Sequence, residues 1–135
     1  MAGKSDKFEF DLLRLIFNGV ALTNVAATAG STSWWVGLMT ADPGDAGSTA
    51  NEGGYGAYTR VKTDRSTAAS TGWAVTSGAS TAYAGASPVT NLDFPQVVTT
   101  STGTFSYFGL FPSSNAQASS GLYYGTLSPT INFSE

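Results

Sequence analysis

Ser33-Trp34-Trp35-Val36-Gly37-Leu38-Met39-Thr40, then Ala41-Asp42-Pro43-Gly44-Asp45 and, past a glycine-rich passage, Tyr55-Gly56-Ala57-Tyr58-Thr59-Arg60-Val61-Lys62, form the stretch around which the chain is organised. The first run combines aromatic and β-branched residues that suit a half-buried pleated strand. Pro43 presets φ for the second position of a turn, Gly44 accepts the positive φ of the third, and Asp42 can bond its own downstream backbone. The chain therefore reverses after Thr40. Asn51-Glu52-Gly53-Gly54 delays the return, which predicts a long projecting loop between two strands, the second over Tyr55–Lys62. That loop is a candidate contact surface. Trp34 and Trp35 are neighbours on a strand and so face opposite ways, one toward the interior and one toward a cover or a partner.

Outward from this centre, residues 1–5 read as an N-terminal arm. Asp6 and Glu9 form an approximate capping box, and Phe8, Leu12, Leu15 and Ile16 share one helical face. A helix is expected over residues 6–18, ended by Asn18-Gly19. Downstream, Gly72 to Ser77 alternates with a period of two and is expected to pair with Thr81–Ala84. Val89–Phe94 reads as a strand stopped by Pro95 at a sheet edge, and Val97–Thr100 as a further extended segment. Thr104–Phe111 is apolar on both faces, as a strand in the middle of a domain would be. Gly121–Leu127 and Thr130–Phe133 close the chain as two strands separated by Ser128-Pro129. About eight short strands at near-regular spacing predict a mainly β fold: a single-domain antiparallel β-sandwich, jelly-roll-like, with one N-terminal α-helix and its strands within residues 33–133. Eight Phe, six Tyr and three Trp supply the core. Each buried ring removes roughly 150–250 Å² from water, several kcal/mol gross at about 25 cal/mol per Å².

Composition narrows the function. With no histidine and no cysteine, the ordinary neutral-pH base, the thiol nucleophile and His-based metal sites are all missing, and no enzyme activity and no cofactor are expected. Asp42-Pro43-Gly44-Asp45 lacks the alternating ligand spacing of an EF-hand, so no metal is expected. Gly53-Gly54-Tyr55-Gly56 is not followed by Lys-Ser/Thr and reads as a hinge rather than a phosphate loop. A net charge of −3 offers no basic field for nucleic acid. No apolar run approaches the ~20 residues of a membrane helix. Glu9, Asp11 and Arg14 interrupt the N-terminal apolar residues, so synthesis in the cytoplasm without a secretory leader is expected.

Charge is distributed unevenly. Beyond Arg65 only Asp93 and Glu135 are charged, whereas ordinary soluble surfaces carry roughly 25–35% charged positions. Charge-depleted, ring-rich surface resembles the centre of a protein–protein interface. Candidate partner-binding residues are therefore Trp34, the loop residues Asp42, Asp45, Glu52 and Tyr55, and the basic cluster Arg60, Lys62 and Arg65. In that cluster Arg60 and Lys62 share one strand face, read as a solvated stripe or one that meets acidic residues on a neighbouring subunit.

Leu38-Met39-Thr40-Ala41-Asp42-Pro43-Gly44-Asp45, Asn51-Glu52, Gly54-Tyr55, Tyr58-Thr59-Arg60-Val61, Leu92-Asp93-Phe94-Pro95, Tyr107-Phe108-Gly109-Leu110-Phe111 and Gly121-Leu122-Tyr123-Tyr124-Gly125-Thr126-Leu127 occur in this order. Together they resemble small structural proteins of tailed bacteriophages, the decoration, cement or tail-fibre-like proteins, over residues 8 to 133. The resemblance implies a virion protein on the capsid exterior: a decoration or cement protein that binds the major capsid protein and copies of itself as a homo-oligomer and bridges capsomers. The alternative it implies is a tail-fibre or baseplate component whose loops touch host glycans.

Overall fold

Strands form where the aromatic and β-branched runs lie. A computed structural model describes residues 3–4, 8, 10, 12, 17, 33–64, 72–76, 85–98, 100–115 and 121–134. Within them are β1 (Gly3–Lys4), β2 (Ser33–Met39), β3 (Val61–Asp64), β4 (Trp73–Thr76), β5 (Gly85–Pro88), β6 (Thr102–Phe111) and β7 (Tyr123–Ser134). Five strands make one sheet in the order β1-β7-β6-β2-β3, and β4 and β5 make a separate two-stranded ribbon. All pairings are antiparallel. The fold is mainly β, as expected, and β6 takes the central place that its two apolar faces require. A second sheet comparable in size to the first, which a sandwich needs, is not present among the described residues.

Several elements differ from the sequence expectation. The helix expected over residues 6–18 lies mostly outside the described residues; Phe8, Phe10, Leu12 and Phe17 are described with helical backbone, and no helix is bounded among them. Within the N-terminal arm, Gly3–Lys4 pairs with Tyr123 and Tyr124. The second strand of the central stretch begins at Val61, not Tyr55, because Tyr55 and Tyr58 are held by side-chain contacts instead of a ladder. Val89–Phe94 is not a strand either, and residues 91–98 carry no ladder. There the backbone is held by the Tyr55 hydroxyl, which donates to the Pro95 carbonyl at 2.8 Å, and by the Phe94 ring stacked on Tyr58 at 6.2 Å. β4 pairs with Gly85–Pro88; Thr81–Ala84, its expected partner, lies outside the described residues.

The break expected at Ser128-Pro129 is a bulge within one long strand. Phe105 stands opposite Ile131 and Tyr107 opposite Thr126, so Leu127–Thr130 face the single residue Ser106. The Ser128–Pro129 peptide is cis. The core sits on the central strands: Met39, Phe105 and Phe111 are the largest fully enclosed side chains, with Val36, Leu38, Leu122 and Tyr124 buried around them.

Candidate functional site

Two glycines open the sheet at its centre. Gly37 of β2 stands directly opposite Gly109 of β6, and with no Cβ on either strand the pair leaves a trough in the face. The Phe111 ring fills one side, so that a Cβ on Gly109 would lie 2.8 Å from it. The Arg60 guanidinium lies 3.5 Å above the centre of that ring, a stacked cation–π contact of the kind arginine favours. The Glu52 carboxylate fills the other side, since a Cβ on Gly37 would meet its Oε1 at 2.6 Å. Arg60 then grips Glu52 with both arms, Nε to Oε1 at 2.6 Å and NH2 to Oε2 at 2.7 Å. Both side chains are fully withdrawn from solvent.

Such a pair needs further partners, because desolvating two charges is expensive unless the remaining donors and acceptors are also satisfied. They are. Arg60 NH1 donates to the Ser113 carbonyl at 2.7 Å, and Tyr58 donates its hydroxyl to Glu52 Oε1 at 3.2 Å while accepting from the Leu38 amide at 2.8 Å. No buried side-chain nitrogen or oxygen among the described residues lacks a hydrogen bond. Burial, reinforced by the nearby Glu52 charge, raises the Tyr58 phenol well above its usual 10.0.

This clamp folds the loop from Thr40 to Thr59 back onto the sheet, so it does not project as expected. Thr40 donates to the Asn51 carbonyl and Gly53 to that of Leu38, both at 3.0 Å, and Met39 bridges Glu52. Gly53 is no hinge: its φ of 77° and the Tyr58 ring 2.9 Å from where a Cβ would stand fix it in place. The turn chemistry is as the sequence predicts, with Gly44 at φ 65° and its amide donating to Asp42 Oδ1 at 2.9 Å. At the far end the Tyr124 hydroxyl donates to Asp45 Oδ1 at 2.8 Å, and the Gly121 amide to the Gly47 carbonyl at 3.0 Å.

The candidate contact residues therefore separate. Asp42, Asp45 and Lys62 are exposed, Trp34 and Tyr55 are half-buried, and Arg65 lies outside the described residues. Glu52 and Arg60 are buried and bind each other, which corrects the reading of Arg60 as part of a solvated stripe with Lys62. Lys62 is left to a loose 3.4 Å pair with Asp64. Beside the clamp lies an open groove of about 580 Å³ between residues 92–97 and the ends of β6 and β7. Tyr55, Phe105 and Phe133 line its wall as a mutually packed cluster, Phe133 stacked on Phe105 at 4.7 Å. Sequence reasoning missed this groove because it read Val89–Phe94 as a strand, although Phe94-Pro95 next to an isolated acidic residue was a visible signal. Among the described residues no three side chains of the metal-ligating types converge.

A family model described as "Podophage GP4 fiber I protein gp80" matches residues 3–132. No curated protein matches the chain.

Proposed function

Because the chain belongs to the family of podophage GP4 fiber I protein gp80, we propose that it is a tail-fibre component of a podophage virion that takes part in attachment to the host surface. The match across residues 3–132 carries this reading. The exposed turn at Asp42–Asp45 and the groove lined by Tyr55 and Phe133 support it, since each presents polar and aromatic groups on a loop held rigidly against the sheet. Binding residues placed on loops over a stiff scaffold lose little order on contact.

The second reading is a capsid decoration protein that bridges capsomers, favoured by the near absence of charge beyond Arg65. A fibre family supports the first reading more directly. Immunogold labelling and gel densitometry of purified virions separate the two. A fibre component is expected at the tail in low copy number, whereas capsid-wide label at a stoichiometry close to that of the major capsid protein would overturn the fibre assignment.

A further inference from the structure

The two edges of the main sheet are built differently. At one edge, β3 has four residues and carries Lys62 and Asp64, whose side chains are 53% and 39% exposed. A short, charged edge strand resists pairing with other chains. At the other edge, β1 covers only Tyr123 and Tyr124 of β7. From Gly125 to Ser134 no strand borders β7 on that side among the described residues. No residue in this stretch is charged. Pro129 and the bulge guard its first half, since proline cannot donate to a ladder and a bulge bends the strand. Past the bulge, which ends at Thr130, neither protection remains: Ile131–Ser134 run in regular register against Thr102–Phe105, and Ile131 is 43% exposed.

We propose that Thr130–Ser134 of β7 pairs with the same segment of a second copy of this chain, antiparallel about a two-fold axis near Asn132, so that the sheet continues from one copy into the other. Another strand is the chemistry that satisfies an edge's row of amide and carbonyl groups, and a strand without charge meets its own copy with no like-charge cost. Antiparallel pairing centred on Asn132 sets Asn132 against Asn132 and Ile131 against Phe133. The apolar residues then meet on one face and the polar ones on the other. With β3 protected, the contact is isologous and closes at two copies instead of growing into an open chain. This deepens the fibre reading by naming a self-association surface; its failure would leave the virion location untouched, because that is decided by labelling the particle.

The absence of cysteine makes the test direct. Residues directly opposite in an antiparallel pair have Cα atoms about 4.5–5.5 Å apart, within the roughly 4.4–6.8 Å that a disulfide spans. Asn132→Cys in the full chain is expected to form an intermolecular disulfide on mild oxidation, and Lys62→Cys on the other edge is not. Sedimentation velocity is expected to show a concentration-dependent dimer, weakened about tenfold or more by Asn132→Lys, which sets two ammonium groups face to face. Circular dichroism checks that the variant keeps its fold. A wild-type chain that stays monomeric at high concentration, an Asn132→Cys variant that does not cross-link, or cross-linking at Lys62→Cys would each overturn the proposal.

Discussion

At the scale of single residues, Glu52 and Arg60 set the behaviour of the central loop. Removing one partner strands a desolvated charge, so Arg60→Ala is expected to destabilise the chain by about 3–5 kcal/mol, while the double change Glu52→Leu, Arg60→Met should return most of that. Denaturant midpoints of the single and double variants check this, and a double variant no better than the single would assign the loss to the Phe111 contact instead. Tyr58 gives the same neighbourhood a pH signature. Its phenol, raised by burial from the usual 10.0, holds its proton more tightly when folded than when unfolded. Its contribution is therefore complete below the ordinary tyrosine range and is lost as pH climbs from there toward the higher folded value. Stability should fall above about pH 10, and Tyr58→Phe should flatten that decline. An alkaline limb that is unchanged in Tyr58→Phe would show that another group is responsible.

At the scale of elements, the loop from Asp42 to Gly47 is fastened to β7 by the Tyr124 hydroxyl on Asp45. Tyr124→Phe should lower stability by only about 0.5–1.5 kcal/mol but speed hydrogen exchange at the Gly47 amide, whose own bond reaches back only to Gly44. Equal protection in both proteins would mean that the Gly121 bond alone secures the loop. Elements were legible in the sequence wherever local chemistry decides them. The aromatic run at Trp34–Met39 marks β2, Thr104–Phe111 marks the central strand, and Asp42-Pro43-Gly44 marks the turn. They were not legible where a distant partner decides. Tyr55–Thr59 and Val89–Phe94 have strand-like composition, yet rings and a hydroxyl contact at Phe94-Pro95 hold the chain there in place of a ladder. Ser128-Pro129 has the chemistry of a break, and pairing with β6 absorbs it as a bulge. The site followed the same division: the exposed Asp42, Asp45 and Lys62 could be read from composition, but the burial of Glu52 and Arg60 depends on Gly37 and Gly109 meeting across strands.

At the scale of the whole molecule, the Arg60–Glu52 pair is, among the described residues, the ion pair withdrawn from solvent. The exposed Lys62–Asp64 pair is long and open to solvent, and pairs of this kind contribute about 0–1 kcal/mol. The thermal midpoint should therefore move little between low and high salt, because screening reaches the surface but not the Arg60–Glu52 contact. Calorimetry across salt concentrations checks this, and a steep salt dependence would relocate the important charges to the surface. A chain with so few surface charges also gains little from electrostatic steering, so its encounters with partners should be slow and governed by shape.

Ser113 and Gly121 are each tied down, one by the Arg60 guanidinium and the other by the Gly47 carbonyl. Both anchors are made by groups outside the interval they bound, so they do not depend on its composition. That makes the interval a natural cassette: a lineage could swap its contents, or an engineer could splice in a foreign epitope, and leave the underlying scaffold unaltered.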